Sequence, residues 1–317
     1  MSRRVVALCG GVGGAKLAHG LAMALPPGHL SVIVNTGDDF EHLGLHISPD
    51  LDSVMYALSG LSDSDRGWGR REESWNCMEA LQQLGGPSWF RLGDRDLAVH
   101  LERTSRLREG ARLSEVTAEL CKHLSINTEV LPMSDAPVRT RVLTDAGALD
   151  FQEYFVHRRC EPAVRGFLFA GAATAQALPR ALQALAQAEL VIICPSNPFV
   201  SIEPILALQG IRSALEGIEA PVLAVTPIVG GKALKGPAAK MFFELGIPAS
   251  AAAVARRYAG FVDGFVIDDS DPVPEPLERV RFFSAATVMR TERDRQSLAE
   301  AVLRHGEELV ARHGAEA

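Results

Sequence analysis

The chain has 317 residues, 47% hydrophobic and 22% charged, with a net charge of -7. Those values suit a soluble globular protein of one large or two coupled domains, and they argue against broad nucleic-acid binding, which needs a basic face. No apolar run approaches the roughly 20 residues that span a bilayer, and the run after Arg3 and Arg4 is too short for a signal-peptide core, so a cytoplasmic location is expected.

In chain order, "RVVALC" predicts a first strand and "AKLAHGLAMAL" a helix stopped by Pro26, Pro27 and Gly28. "LSVIVN" predicts a second strand that opens into the polar loop "TGDDFEHLG". "DLDSVMYALSGL" resumes helical spacing, with Leu51, Val54, Met55 and Leu58 on one face. The stretches "SWNCMEALQQLG", "DLAVHLERTSRLREG" and "LSEVTAELCKHL" make residues from about 74 to 124 mainly helical. Between about 126 and 165 short β-like runs flank a turn at Asp145-Ala146-Gly147, which reads as an antiparallel insertion or cap.

Buried-strand character returns in "ELVIICPSNP", "APVLAVTPIVGG" and "GFVIDDSD", with "AQALPRALQALAQA" and "GPAAKMFFELG" as helices between them. "RQSLAEAVLRHGEELVARHG" closes the chain as an amphipathic helix. Strands alternating with helices predict an α/β fold: a Rossmann-like three-layer core with a largely parallel sheet. Residues 1–125 and 166–317 are expected to form that core, and residues 126–165 a smaller inserted α/β subdomain.

The chemistry-bearing residues sit at predicted strand ends. In "GGVGGAK" a Walker A loop would need Gly at Ala15 and Ser or Thr at Leu17, and the dinucleotide fingerprint from Gly11 and Gly13 would need Gly at Lys16. Both fail. A glycine turn opening a helix still presents N–H groups to an anion, with Lys16 one turn in; the alternative is a tight turn that only packs.

Asp38 and Asp39 follow the second strand, and Asp50 and Asp52 precede a helix. They either converge on a divalent metal such as Mg²⁺ or divide between helix capping and solvent. In "RLGDRDLAVH", Arg91, Asp94, Arg95, Asp96 and His100 read as a phosphate clamp or a charge-paired helix start. Ser196 and Asn197 in "PSNP" offer hydrogen bonds at a strand end, and Lys232 and Lys235 in "TPIVGGKALKG" form a second Gly/Lys loop. The five cysteines, Cys9, Cys77, Cys121, Cys160 and Cys194, lack metal spacing and read as reduced thiols.

Taken together, the blocks "GGVGGAK", "NTGDD", "SPDLD", "LGDRDLAVH", "LPMSD", "FQEYFV", "PSNPFVSI", "TPIVGGK" and "GPAAK" resemble the 2-phospho-L-lactate transferase family of coenzyme F420 biosynthesis (CofD in archaea, FbiA in actinobacteria). "RGWGRREESWN" is similar to the bacterial branch. The resemblance implies transfer of a phospho-three-carbon-acid group from a guanosine-diphosphate-linked donor to the ribityl hydroxyl of the deazaflavin Fo, with release of GMP. The acid (phospholactate, phosphoenolpyruvate or 3-phosphoglycerate) stays open.

The resemblance further implies Mg²⁺ on Asp38, Asp50 and Asp52, with Asp50 as the catalytic contact. It places Fo against Asp50 and Arg91, and the nucleotide or its phosphates against Gly11, Gly13, Gly14, Lys16, Asn197 and Lys232. Trp68, Trp75 and Trp89 either stack on the deazaflavin or pack. A homodimer is expected by analogy. The rival readings are a nucleotide-sugar-binding regulatory protein of related fold and an NAD-dependent oxidoreductase.

Overall fold

The computed structural model describes residues 3–63, 66–233 and 236–316; Lys235 of the second Gly/Lys loop lies outside them. The chain opens with β1 (Val5–Cys9), α1 (Gly11–Ala24) and β2 (Leu30–Val34), then a hairpin of β3 (Phe40–His42) and β4 (Leu45–Ile47). Four helices follow: α2 (Pro49–Leu58), α3 (Asn76–Gln83), α4 (Asp94–Arg108) and α5 (Leu113–His123). After them come β5 (Glu129–Pro132), β6 (Arg139–Thr144), β7 (Gly147–Asp150) and β8 (Val164–Ala170). The remainder runs α6 (Pro179–Ala186), β9 (Leu190–Ile193), α7 (Glu203–Leu206), α8 (Ile211–Glu216), β10 (Val222–Val225), β11 (Ile228–Val229) and β12 (Lys232–Ala233). It ends with α9 (Ala238–Glu244), α10 (Ala251–Tyr258), β13 (Gly264–Asp268), β14 (Arg281–Ala285) and α11 (Glu292–Glu316).

Seven strands form one parallel sheet in the order β14-β13-β10-β9-β1-β2-β5. Alternate side chains of β1 feed different cores. Val5, Ala7 and Cys9 pack with α1, α2, α5 and α11, whereas Val6 and Leu8 pack with α6, α8, α9 and α10. Burial on both faces is why these strands read as unbroken apolar runs. The chain leaves β1 toward β2 and β5, then crosses back to β9 and onward, so the direction of winding reverses between β1 and β9. In open α/β sheets that switch point, at the carboxyl ends of the strands, is where ligands bind.

The expected three-layer core is present. Its division from the insertion falls elsewhere than at 126–165. β5 pairs in parallel with β2 and belongs to the core, because Val130, Leu131 and Pro132 are all buried. The inserted antiparallel sheet, in the order β7-β6-β8, extends to Ala170. Its β6–β7 turn is at Asp145-Ala146, as the sequence indicates. The "FQEYFV" segment, read as β-like, is a π-helical turn over Glu153–His157. The loop "TGDDFEHLG" carries the β3–β4 hairpin, turned by Leu43 and Gly44 at φ of 55° and 72°. Among the described residues, no helix is long and apolar enough to cross a membrane.

Candidate active site

The ends of β1, β2 and β9 meet around one carboxylate. Asp50, in the first turn of α2, accepts the Gly11 N–H on Oδ1 at 2.5 Å and the Asn35 Nδ2 amide on Oδ2 at 2.8 Å. Gly11 opens α1 with φ of +65°, so an L side chain would be strained there. A Cβ at Gly10 would collide with Asp50 Oδ2 and stand 2.9 Å from Ser201 Cβ. The Gly10 N–H donates to Ser196 Oγ at 3.2 Å. The positive end of α1 therefore already holds an anion, the carboxylate of Asp50.

This changes the account of the opening glycines. A Cβ at Gly13 would strike the Pro195 carbonyl oxygen, and one at Gly14 would stand 2.5 Å from Ser196 Oγ and 2.8 Å from Cys9 Cβ. Close packing of α1 against the end of β9 accounts for both positions without a phosphate. Lys16, one turn on, sends Nζ to the Met289 carbonyl at 2.6 Å.

Asp38 lies beside Asp50. Asn35 Nδ2 reaches Asp38 Oδ1 at 3.4 Å as well as Asp50, and Gln152 from the insertion reaches Asp38 Oδ2 at 3.4 Å. Both carboxylates are buried, and every side-chain partner they have among the described residues is a neutral amide. Burial pushes the Asp50 carboxyl up to about 6; the Asn35 and Gly11 hydrogen bonds oppose the rise and the Asp39 charge adds to it. Asp38 is held well above the ordinary carboxylate range by burial first, then by the charges of Asp50 and Asp39. Asp39 Oδ2 accepts from Ser48 Oγ at 2.9 Å and meets His46 Nε2 at 3.1 Å, while its Oδ1 has no partner.

Two adjacent buried carboxylates without a cation are costly unless a proton or a metal joins them. Hard oxygen donors of this kind, with an orphaned carboxylate oxygen alongside, fit Mg²⁺.

Asp52 behaves differently. Its carboxylate forms a two-point ion pair with the fully buried Arg103 guanidinium. Arg103 NH1 also donates to His100 Nδ1 at 3.2 Å. His100 Nε2 faces Asp96 Oδ2 at 3.4 Å, and Asp96 accepts from the Tyr56 hydroxyl. Asp52, Asp96 and His100 are spaced closely enough to ligate a metal, but Arg103 already supplies the positive charge. The structure thus groups Asp38 with Asp50 and turns Asp52 toward Arg103.

Asp94, expected either to pair or to clamp, accepts hydrogen bonds from Ser74, Asn76 and the Cys77 N–H, tying the start of α3 to that of α4. Arg91 is exposed and stacks its guanidinium over Trp75 at 4.4 Å. Trp89 stacks with His157 and packs edge-on to His42 and Phe90, whereas Trp68 is 49% exposed. Asn197 Oδ1 accepts the Phe199 N–H and so starts the π-helical turn Pro198–Ile202. Lys232 is exposed on the small β11–β12 hairpin, apart from these contacts.

Sequence reasoning missed Asn35, Gln152 and Arg103. Asn35 closes a buried strand, and Arg103 falls on the helix face shared by Asp96 and His100, so both carried a signal in their spacing.

The model of the family described as 2-phospho-L-lactate transferase CofD matches residues 5–306. This chain belongs to that family. A phosphoenolpyruvate transferase of Kitasatospora aureofaciens is 43% identical over 275 residues, covering 84% of this chain and 86% of the relative. Its namesake in Streptomyces coelicolor is 41% identical over 284 residues, 88% of each chain. A crystal structure of a UPF0052-family protein from Bacillus halodurans shares the fold with a TM-score of 0.63 at 17% identity, covering 96% of this chain and 99% of the other. As a CofD-family member the chain is a transferase.

Proposed function

We propose that this CofD-family transferase moves a phosphoenolpyruvyl group from a guanosine-diphosphate-linked donor to the terminal ribityl hydroxyl of the deazaflavin Fo. The new bond joins that oxygen to the phosphorus nearer the three-carbon acid. The phosphoanhydride bond to the guanosine phosphate breaks, GMP leaves with the electron pair, and a phosphodiester of the F420-0 type remains. The choice of acid rests on the relatives named phosphoenolpyruvate transferase.

The observation that carries the reading is Asp50: a buried carboxylate, oriented by Gly11 and Asn35, that no ion pair claims among the described residues. In this reading it accepts the hydroxyl proton as the oxygen attacks. Asp38 and Asp50 would hold Mg²⁺, which when bound would neutralise the diphosphate. Gln152 brings the insertion onto the same carboxylates, so a substrate there would be covered on one side by the antiparallel sheet. Arg91 and the Trp75 face beneath it offer a cationic and aromatic edge suited to the acceptor.

The occupied N-terminus of α1 speaks against the oxidoreductase reading. Where a Rossmann enzyme seats a pyrophosphate, this chain seats its own carboxylate.

The test is product mass spectrometry with Fo, GTP, a guanylyltransferase and each of the three phosphoacids. A phosphodiester from phosphoenolpyruvate is expected. Failure to form a phosphodiester from Fo with any of them would overturn the reading.

A further inference from the structure

One cavity is lined by none of the carboxylates of the candidate site. It is a cleft of about 600 Å³ between Gly60, Ser62, Asp63, Arg71 and Glu72 on one side and the start of α11 on the other. That volume falls within the roughly 300–1,000 Å³ range of small-molecule sites. Arg71, Arg290 and Arg295 converge on it. A narrower extension, sharing Arg290 and Arg295, reaches Lys16 and Trp68.

The extension and the end of β9 use different faces of α1. Gly13 and Gly14 press against Pro195 and Ser196, whereas Val12, Ala15 and Lys16 line the extension.

Arg295 decides what the cleft can hold. It is 7% exposed, yet it makes no ion pair with any carboxylate among the described residues. Its one side-chain hydrogen-bond partner among the described residues is His19, whose Nδ1 lies 3.2 Å from NH1. Arginine has no acceptor, so His19 must present a lone pair there and stay neutral, in keeping with burial and the Arg295 charge lowering its pKa. The Arg295 Nε has no partner at all. A buried guanidinium is normally matched by an anion, because leaving the charge uncompensated is expensive.

The acids in the cleft do not supply that match. Asp63 is paired with Arg66 at 2.7 Å and Glu72 with Arg95 at 3.1 Å. Glu292 attracts Arg295 without reaching ion-pair distance, and Asp294 is turned to the Arg290 and Thr291 N–H groups. The side chains of Arg71 and Arg290 are exposed and have no carboxylate partner among the described residues.

We infer that this cleft binds a phosphate-bearing small molecule, held by Arg71, Arg290 and Arg295. Planar guanidinium groups match phosphate oxygens two at a time, and three of them suit a diphosphate better than a single carboxylate. The half-exposed Trp68 at the edge offers a face on which a base can stack. The inference rests on the cleft alone, independent of the transferase reading.

Calorimetric titration of the full chain with inorganic pyrophosphate tests it, since this measures binding without turnover. The wild type should bind, and the Arg71→Ala/Arg290→Ala double variant, changed only at exposed positions, should bind about tenfold more weakly or worse. Asp50→Asn should bind pyrophosphate as the wild type does. Arg295→Gln, checked for folding by circular dichroism, should also lose affinity. A parallel titration with GDP separates two sources of the phosphate: tighter binding than pyrophosphate that is lost in the arginine double variant assigns the cleft to a nucleotide, and GDP binding that the double variant weakens no more than pyrophosphate binding assigns it to the phosphate end alone. The inference is overturned if pyrophosphate does not bind at millimolar concentration. It is also overturned if the double variant binds like the wild type, or if affinity disappears in Asp50→Asn and survives in the arginine variants.

Discussion

Asp50 and Asp52 are two residues apart on one helix, equally buried, and belong to different worlds. Asp52 has a full positive partner in Arg103 and is tied through His100 to Asp96 and Tyr56. Asp50 and its neighbour Asp38 have amides only. A compensated acid is spent on holding α2 against α4. An uncompensated pair stores a demand for positive charge that a substrate complex can meet.

The contrast breaks most sharply at Asp50. Asp50→Asn should reduce turnover by roughly 10²–10⁴-fold, the usual contribution of a positioned acid–base group, while thermal unfolding shows the fold retained. Turnover near that of the wild type would remove Asp50 from the chemistry.

Arg103→Met should do the reverse. It leaves Asp52 buried and unpaired, so denaturant unfolding should show a loss of about 3–5 kcal/mol. An equal loss in Asp38→Asn would erase the distinction between the two regions.

Gly14→Ala tests whether the glycine loop serves packing. Its Cβ has no room beside Ser196 and Cys9, so a cost of about 1–3 kcal/mol is expected by chemical denaturation. A neutral effect would return that glycine to a role in ligand binding.

The smallest effect is expected at Asp94, whose carboxyl is pulled down to about 2 by hydrogen bonds from Ser74, Cys77 and Asn76. A lowered folded-state pKa gives stability that is present above the ordinary carboxylate range and is lost as pH falls toward 2. Asp94→Asn should therefore unfold at a lower temperature than the wild type at neutral pH, with the gap closing near pH 2.

Most of the sheet was legible because parallel strands buried on both faces spell themselves as apolar runs, as β1, β2, β9, β10 and β13 do. β14 was not, since it is an edge strand whose residues alternate between exposed and buried around Phe283. β5 was assigned to the insertion because Pro132 and the polar stretch after it mask its tie to β2.

At the site, the acids announced themselves by position, but their division did not. Only the fold shows that Arg103, about fifty residues away in sequence, points at Asp52 and that, among the described residues, Asp50 forms no ion pair. Gln152 was equally hidden, because its arrival depends on how the inserted sheet docks.

The seat that Asp50 takes on Gly11 also bears on evolvability. Restoring the missing glycine at Lys16 would complete a dinucleotide fingerprint on paper, yet a pyrophosphate entering there would meet a resident negative charge. Retooling this scaffold for nicotinamide cofactors would require evicting Asp50 first. One helix end seats one anion, so a pyrophosphate there and the Asp50 carboxylate exclude each other.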